Sequence, residues 1–292
     1  MSRRSLLHVL VPAIILFACY PALAENRLAL VIGQSAYRSV PALPNPANDA
    51  RAMAQLLSDS GFEVLSASDL SQDQLREKVS EFASQMATKG PDTIALVFYA
   101  GHGLQIDGEN YLVPVDIDVK READIPIQAV RLNDILNTLT SVPSKMRILM
   151  LDACRNNPFP EINKTAGHGL AIIDAKTGSP GTFVSFSTSP GAEAEDGNGS
   201  DSPYTTALLT AAKEPGLPIE ETFKRVRLSV NRATDGRQTP WDSSSLTEDF
   251  SFLAGPAGSG AKLGAVKHTV EEWKGQLGRL VRVAEILQVR PV

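Results

Sequence analysis

Cysteine is nearly missing from this chain: its 292 residues hold two, Cys19 and Cys154. Cys19 lies in an N-terminal segment that reads as an export signal, so the mature chain keeps one thiol and cannot form an internal disulfide. No Cys/His cluster has zinc-ligand spacing, and no glycine-rich loop precedes a Lys-Ser/Thr pair, which removes the P-loop nucleotide site. No metal and no cofactor is therefore expected. Positive charge is not in excess either. With 28 basic and 33 acidic residues the formal net charge is −5, which argues against nucleic acid as the main partner. No internal repeat is visible, and nothing in the sequence specifies an oligomeric state.

Long apolar runs are confined to the start. Arg3 and Arg4 precede a thirteen-residue apolar stretch, Leu6 to Ala18, that is too short to span a bilayer comfortably. Ala22-Leu23-Ala24 offers small residues to a signal peptidase, so residues 1–24 read as a signal peptide cut before Glu25. Ser2-Arg3-Arg4-Ser5-Leu6-Leu7 also has the look of a twin-arginine signal, and Leu16-Phe17-Ala18-Cys19 is the alternative lipoprotein reading, disfavoured by bulky Phe17. The expectation is an exported protein, periplasmic or secreted, with no stable membrane insertion after cleavage. Losing the two arginines takes the net charge from −5 to −7.

The mature chain alternates strand-like and helix-like segments, which points to an α/β sheet. Arg27–Ile32, Phe62–Leu65, Thr93–Tyr99, Arg147–Leu151 and Thr182–Ser187 read as strands, and Phe250–Leu253 as a last one. Asp107-Gly108 marks a hairpin turn between Leu104 and Leu112. Helical spacing links Ala50, Met53, Ala54 and Leu57, then Leu75, Val79, Phe82 and Met86 behind a Ser71/Gln74 capping box. Further helices carry Leu132, Ile135, Leu136 and Leu139, and Ile219, Phe223, Val226 and Val230, with Ser202-Pro203 a favourable start for another. Residues 156–181 are rich in Gly, Pro, Asn and Lys and read as an exposed linker. Residues 255–264 are a small-residue linker before a C-terminal helix over 266–289.

Chemistry concentrates at two strand ends. Cys154 follows Arg147-Ile148-Leu149-Met150-Leu151-Asp152-Ala153 and is flanked by polar Asp152, Arg155, Asn156 and Asn157, which suits a nucleophile better than a buried apolar filler. His102, fifty-two residues upstream, stands between Gly101 and Gly103 in a loop after the Thr93–Tyr99 strand. A thiol nucleophile needs a base within hydrogen-bond reach, and two strand ends in one sheet supply it. The Gly103 and Cys154 amides would form an oxyanion hole for acyl transfer. His168 and His268 lie at no strand end and read as solvated.

Arg27–Gly33, Asn48-Asp49-Ala50, Phe98-Tyr99-Ala100-Gly101-His102-Gly103 and Leu151-Asp152-Ala153-Cys154-Arg155 follow one another in the order and spacing of the caspase-like peptidases. The resemblance spans about residues 26–253 and is strongest to the bacterial, metacaspase-related branch. It implies a caspase–haemoglobinase fold, a three-layer α/β sandwich around a six-stranded, mainly parallel sheet. It divides the domain, residues 25–254, into a large-subunit-like part (25–160), a linker (161–181) and a small-subunit-like part (182–254). It also implies that Cys154 attacks the peptide carbonyl and His102 protonates the leaving amine of a polypeptide substrate.

Asp49 and Asp152 match the acidic S1 positions of the branches that cleave after Arg or Lys, where a carboxylate at the pocket floor pairs with a cation. The loop with Glu193, Glu195 and Asp196 offers a third carboxylate; Glu193 is the one placed in the expected S1 set. The sequence departs from the metacaspases in having no second cysteine near the first strand and no clear calcium-binding acid cluster. Calcium dependence and self-cleavage, for which Lys164 and Lys176 would be suitable sites, are thus not carried over. The competing readings are a catalytically inactive caspase-fold interaction module and a cysteine acyltransferase using the same pair of residues.

Overall fold

A computed structural model describes residues 25–154, 158–159, 170–171, 173, 181–190, 192, 194–197 and 199–255. The expected signal peptide and C-terminal helix, and most of the 156–181 linker, lie outside the described residues, as do Glu193, Lys164, Lys176, His168 and His268.

The strands β1 (Asn26–Gly33), β2 (Glu63–Ser68), β3 (Thr93–Ile106), β6 (Met146–Cys154), β7 (Thr182–Phe186) and β8 (Trp241–Ser244) form one sheet in the order β2-β1-β3-β6-β7-β8. All neighbours are parallel except β8, which runs antiparallel to β7. Two short strands, β4 (Glu109–Leu112) and β5 (Val130–Arg131), extend it from the far half of β3. The expected six-stranded, mainly parallel sheet is present.

Strand side chains alternate between the two faces, and on the central strands both alternating sets are apolar because helices cover both faces. Ala29, Val31, Leu96, Phe98, Ile148 and Met150 pack with helices α1 (Pro46–Asp59), α5 (Pro203–Ala211) and α6 (Ile219–Ala233). Leu28, Leu30, Val97, Tyr99, Leu149 and Leu151 pack with α2 (Gln72–Lys89) and α4 (Leu132–Thr140). Each fully buried large apolar side chain contributes about 1.5–3 kcal/mol. The single-turn helix α3 (Ile125–Gln128) joins a smaller cluster under the β3–β4 hairpin, with Leu104, Tyr111, Val113 and Ile117.

Local signals account for the helix ends. Pro46 opens α1 with its φ already set, and Gly61, at φ 81°, follows its last turn. The Ser71/Gln74 capping box forms at α2, with Gln74 N–H donating to Ser71 Oγ and Ser71 N–H to Gln74 Oε1. Ser202 caps α5 by accepting from Thr205 N–H at 2.9 Å.

Three expectations change. First, β3 does not stop at Tyr99: it continues to Ile106, so His102 is a strand residue and not a loop residue. The strand persists by changing neighbours, from β1, whose last pair is Gly33↔Ala100, to β4, which begins at Gly103↔Leu112. Asp107 and Gly108, both at positive φ, close that hairpin as expected. Second, Phe250–Leu253 is not a strand. Phe250 and Phe252 are buried, but their backbone serves other elements: the Phe250 carbonyl accepts from Ile219 N–H, and the Phe252 carbonyl from Arg27 Nη1. The edge strand is instead Trp241–Ser244, whose Asp-Ser-Ser run carries no apolar alternation.

Third, the stretch read as an exposed linker is anchored where it is described. Phe159, Leu170 and Ile173 are buried in the core clusters. Asn110, also buried, donates through Nδ2 to the Ala171 carbonyl at 2.9 Å and accepts from Ala171 N–H at 2.6 Å.

Candidate active site

The register of the β3–β6 ladder runs Ala100↔Asp152, Gly101↔Ala153, His102↔Cys154. Neighbouring strands lie about 4.8 Å apart, so the two residues singled out by sequence stand side by side at the end of the parallel ladder.

His102 is 4% exposed. Its Nε2 lies 2.8 Å from the Pro41 carbonyl, which can only accept, so Nε2 carries the proton of the neutral ring. Nδ1 is buried with no hydrogen-bond partner among the described residues and holds the lone pair. Burial drives the imidazole pKa below its usual value, only partly offset by the Pro41 contact. The ring is thus a neutral base at neutral pH, with its free nitrogen in a dry place. Its backbone is held as firmly: the His102 carbonyl accepts from Tyr99 Oη at 2.8 Å and from Val113 N–H at 3.1 Å.

Amide direction follows from strand alternation. Ala100 accepts from Gln34 N–H on the β1 side, and His102, two residues on, points its N–H the same way, to Tyr37 Oη. Gly103, of opposite parity, therefore turns its N–H to the β6 side, where Cys154 lies. That is the side an oxyanion hole shared with the Cys154 amide requires.

A cluster of buried acids lies beside this pair. Asp49, in the first turn of α1, is 1% exposed, and Asp152, two residues before Cys154, is 7% exposed. Ser202 bridges them: its N–H donates to Asp49 Oδ1 at 2.8 Å and its hydroxyl donates to Asp152 Oδ2 at 2.5 Å. Thr205 Oγ1 adds a second hydroxyl on Asp152 at 2.8 Å. The capping residue of α5 thus holds both carboxylates at the positive end of that helix.

Burial raises both acids, Asp49 to about 9, with the charge of Asp152 adding to it, and Asp152 to about 6 against the pull of its hydroxyl donors. Two carboxylates in one dry pocket resist ionising together.

The acid loop adds its member at Asp196, whose charge raises the pKa of both others. Asp196 is tied to the start of α1 by Asn45, which donates its N–H to Oδ2 at 3.3 Å and its Nδ2 to the Asp196 carbonyl at 2.5 Å. Its own pKa is raised, chiefly by burial. Sequence named three acids in this loop and placed Glu193 in the expected S1 set. Asp196 is the one the structure joins to the pocket, Glu195 ion-pairs with Arg237, and Glu193 lies outside the described residues. Ser202, legible only as a helix cap, and Thr205 are residues of this cluster that sequence reasoning missed. Among the described residues no group of three or more His, Cys, Asp and Glu is arranged to hold a metal ion.

Comparison with known proteins bears on the family. The family model of the caspase domain matches residues 26–251. Human mucosa-associated lymphoid tissue lymphoma translocation protein 1 is 30% identical over 173 residues, 59% of this chain and 19% of that protein. Its mouse homologue is 28% identical over 233 residues, 77% of this chain and 26% of that protein. Pig caspase-1 is 28% identical over 143 residues, 47% of this chain and 33% of its own length. Each curated relative is thus matched over a third of its length or less. With strand order, register and family match in accord, the chain belongs to the caspase domain family.

Proposed function

We propose that this chain is an exported thiol endopeptidase in which Cys154 is the nucleophile, His102 the acid–base, and Asp49, Asp152 and Asp196 the pocket that takes an Arg or Lys side chain of a polypeptide. The observation that carries the reading is the pairing of His102 with Cys154 in register, with the buried His102 Nδ1 having no hydrogen-bond partner among the described residues.

The Cys154 thiol gives its proton to Nδ1, and the thiolate attacks the scissile carbonyl carbon. The Gly103 and Cys154 amides receive the developing oxyanion. As the C–N bond breaks, the leaving amine takes the proton from Nδ1, and a thioester remains on Cys154. Water then attacks the thioester, giving a proton back through His102 as the thiol is released. Pro41 accepts from Nε2–H throughout and favours the imidazolium that forms in between.

The acid pocket sets the sign of the substrate. An acidic side chain entering it would meet three carboxylates, whereas a guanidinium lets them ionise and pairs with them. At an effective dielectric of about 20, one such pair at 4 Å is worth about 4 kcal/mol.

Purified mature protein is expected to hydrolyse a peptide with Arg at P1 and to leave its Asp counterpart intact. Cys154→Ala should abolish turnover, and Asp152→Asn should lower kcat/KM for the Arg peptide by about 100-fold, the loss of one buried charge contact. Hydrolysis that survives Cys154→Ala sinks the mechanism, and equal cleavage after Asp and Arg sinks the pocket assignment.

A further inference from the structure

The loop between β1 and α1, residues 34–45, touches His102 twice. The Pro41 carbonyl accepts from Nε2–H, and four residues earlier Tyr37 Oη accepts from the His102 backbone N–H at 2.7 Å. The Tyr37 ring also lies against the imidazole, with centroids 4.5 Å apart and planes tilted by 52°. A strand residue ordinarily gives its N–H to the next strand, but β1 stops pairing at Gly33↔Ala100, two residues short of His102. The phenol stands where the neighbouring strand has ended. It is 7% exposed, and a Cβ at position 101 would lie 2.7 Å from its hydroxyl, so a glycine before His102 leaves the room it needs.

The loop carrying both contacts is pinned. Gln34 donates to the Leu70 carbonyl at 2.9 Å and accepts from Leu70 N–H at 2.6 Å. Asp69 Oδ1 accepts from Ser35 N–H and Ala36 N–H, each at 2.8 Å, and Arg38 N–H donates to the Val115 carbonyl at 3.0 Å. With Gln34 and Arg38 both fixed, Tyr37 has little freedom to leave.

We propose that Tyr37 is a positioning residue for His102: its hydroxyl stands in for the strand neighbour that β1 no longer supplies and its ring seats the imidazole, which keeps Nε2–H on the Pro41 carbonyl and the lone pair on Nδ1. Its consequence for turnover rests on the peptidase reading; its consequence for the ring does not. Without the hydroxyl, the buried His102 N–H must find another partner, and the backbone shift that provides one moves the ring off Pro41. Displacing a catalytic group by about 1 Å costs about 100-fold in rate.

The chain has four histidines, so ring nitrogens can be followed by NMR on histidine-15N-labelled protein, with His102 assigned by its loss in His102→Gln. The wild type is expected to show a protonated Nε2 and a bare Nδ1. Tyr37→Phe, which keeps the ring and removes the hydroxyl, should give a tautomer mixture and lower kcat on the P1-Arg peptide by about 100-fold with KM changed by less than about threefold. Asp69→Gly removes the anchor while tolerating the positive φ at that position, 52°, and should shift the tautomer the same way; it decides the matter should Tyr37→Phe not fold.

An Nδ1-protonated tautomer in the wild type overturns the proposal, as does a Tyr37→Phe protein, or failing that an Asp69→Gly protein, with the wild-type tautomer and kcat. A tautomer shift in a protein that hydrolyses no peptide keeps the positioning role and removes the peptidase reading. Unchanged tautomer with active hydrolysis does the reverse.

Discussion

At the scale of single residues, the pocket acids and His102 respond to pH in opposite senses. Asp49 and Asp152 have folded pKa values raised to about 9 and about 6 from an ordinary 3.8. At these two groups the folded state therefore binds more protons than the unfolded chain from about pH 4 to about pH 9, and the stability they contribute is present below pH 4 and lost as pH rises through 6 and then 9. His102, lowered by burial, contributes stability that is present above pH 6.5 and lost as pH falls below it. The difference between wild type and Asp49→Asn isolates the acid: across pH 5–9 the wild-type melting temperature should fall relative to the variant's. Parallel curves would remove the buried-acid account.

The same acids link substrate binding to protons. A guanidinium in the pocket favours ionised Asp49, so a P1-Arg peptide should bind the Cys154→Ala protein more tightly as pH rises from 6 to 9 and release about one proton at pH 7. Titration calorimetry in two buffers of different ionisation enthalpy measures that number directly. No buffer dependence would mean that Asp49 keeps its proton and does not meet the cation.

At the scale of elements, much could be read in advance. The Ser71/Gln74 capping box, the Ser202-Pro203 helix start and the Asp107-Gly108 turn rest on interactions within four residues of one another, and all three form. Where the outcome depended on distant partners, local reading failed. The second half of β3 exists because β4 pairs with it, and the edge strand Trp241–Ser244 because β7 offers a free side. The anchor of Leu170 and Ala171 depends on Asn110, sixty-one residues away, which copies the two hydrogen bonds of a strand neighbour with one side chain. Asn110→Ala should strand the Ala171 amide and carbonyl and cost about 1–3 kcal/mol. In a Cys154→Ala background it should also speed tryptic cutting within 156–181. A cutting rate equal to that of the Cys154→Ala parent would show that Asn110 does not hold the segment.

At the scale of the whole molecule, the two parts on either side of that segment share one sheet and one core. β6 and β7 pair over five residues, from Arg147↔Thr182 to Leu151↔Phe186. Phe183, Phe223 and Val226 of the second part lie in the same cluster as Leu96, Phe98 and Ile148 of the first. The acid pocket straddles them too, since Asp49 and Asp152 are held by Ser202 and Thr205. A cut within 156–181 should therefore leave the halves together: a nicked protein should elute as one species in native size exclusion and as two chains only under denaturing conditions. Separation of the halves without denaturant would contradict a shared core.

By itself the sequence determined the alternation of strands and helices, the caps and turns that bound them, and the points at which Cys154 and His102 follow two apolar strand runs, because each rests on spacing and neighbours close along the chain. The tertiary structure alone decided that β3 runs on past His102, that the imidazole donates its Nε2–H to the Pro41 carbonyl while Nδ1 has no partner among the described residues, that Ser202 bridges Asp49 and Asp152, and that Asp196 adds its charge to both. Those outcomes rest on burial and on hydrogen bonds between residues tens to more than a hundred positions apart, and neither burial nor such partners can be seen from a residue's neighbours in sequence.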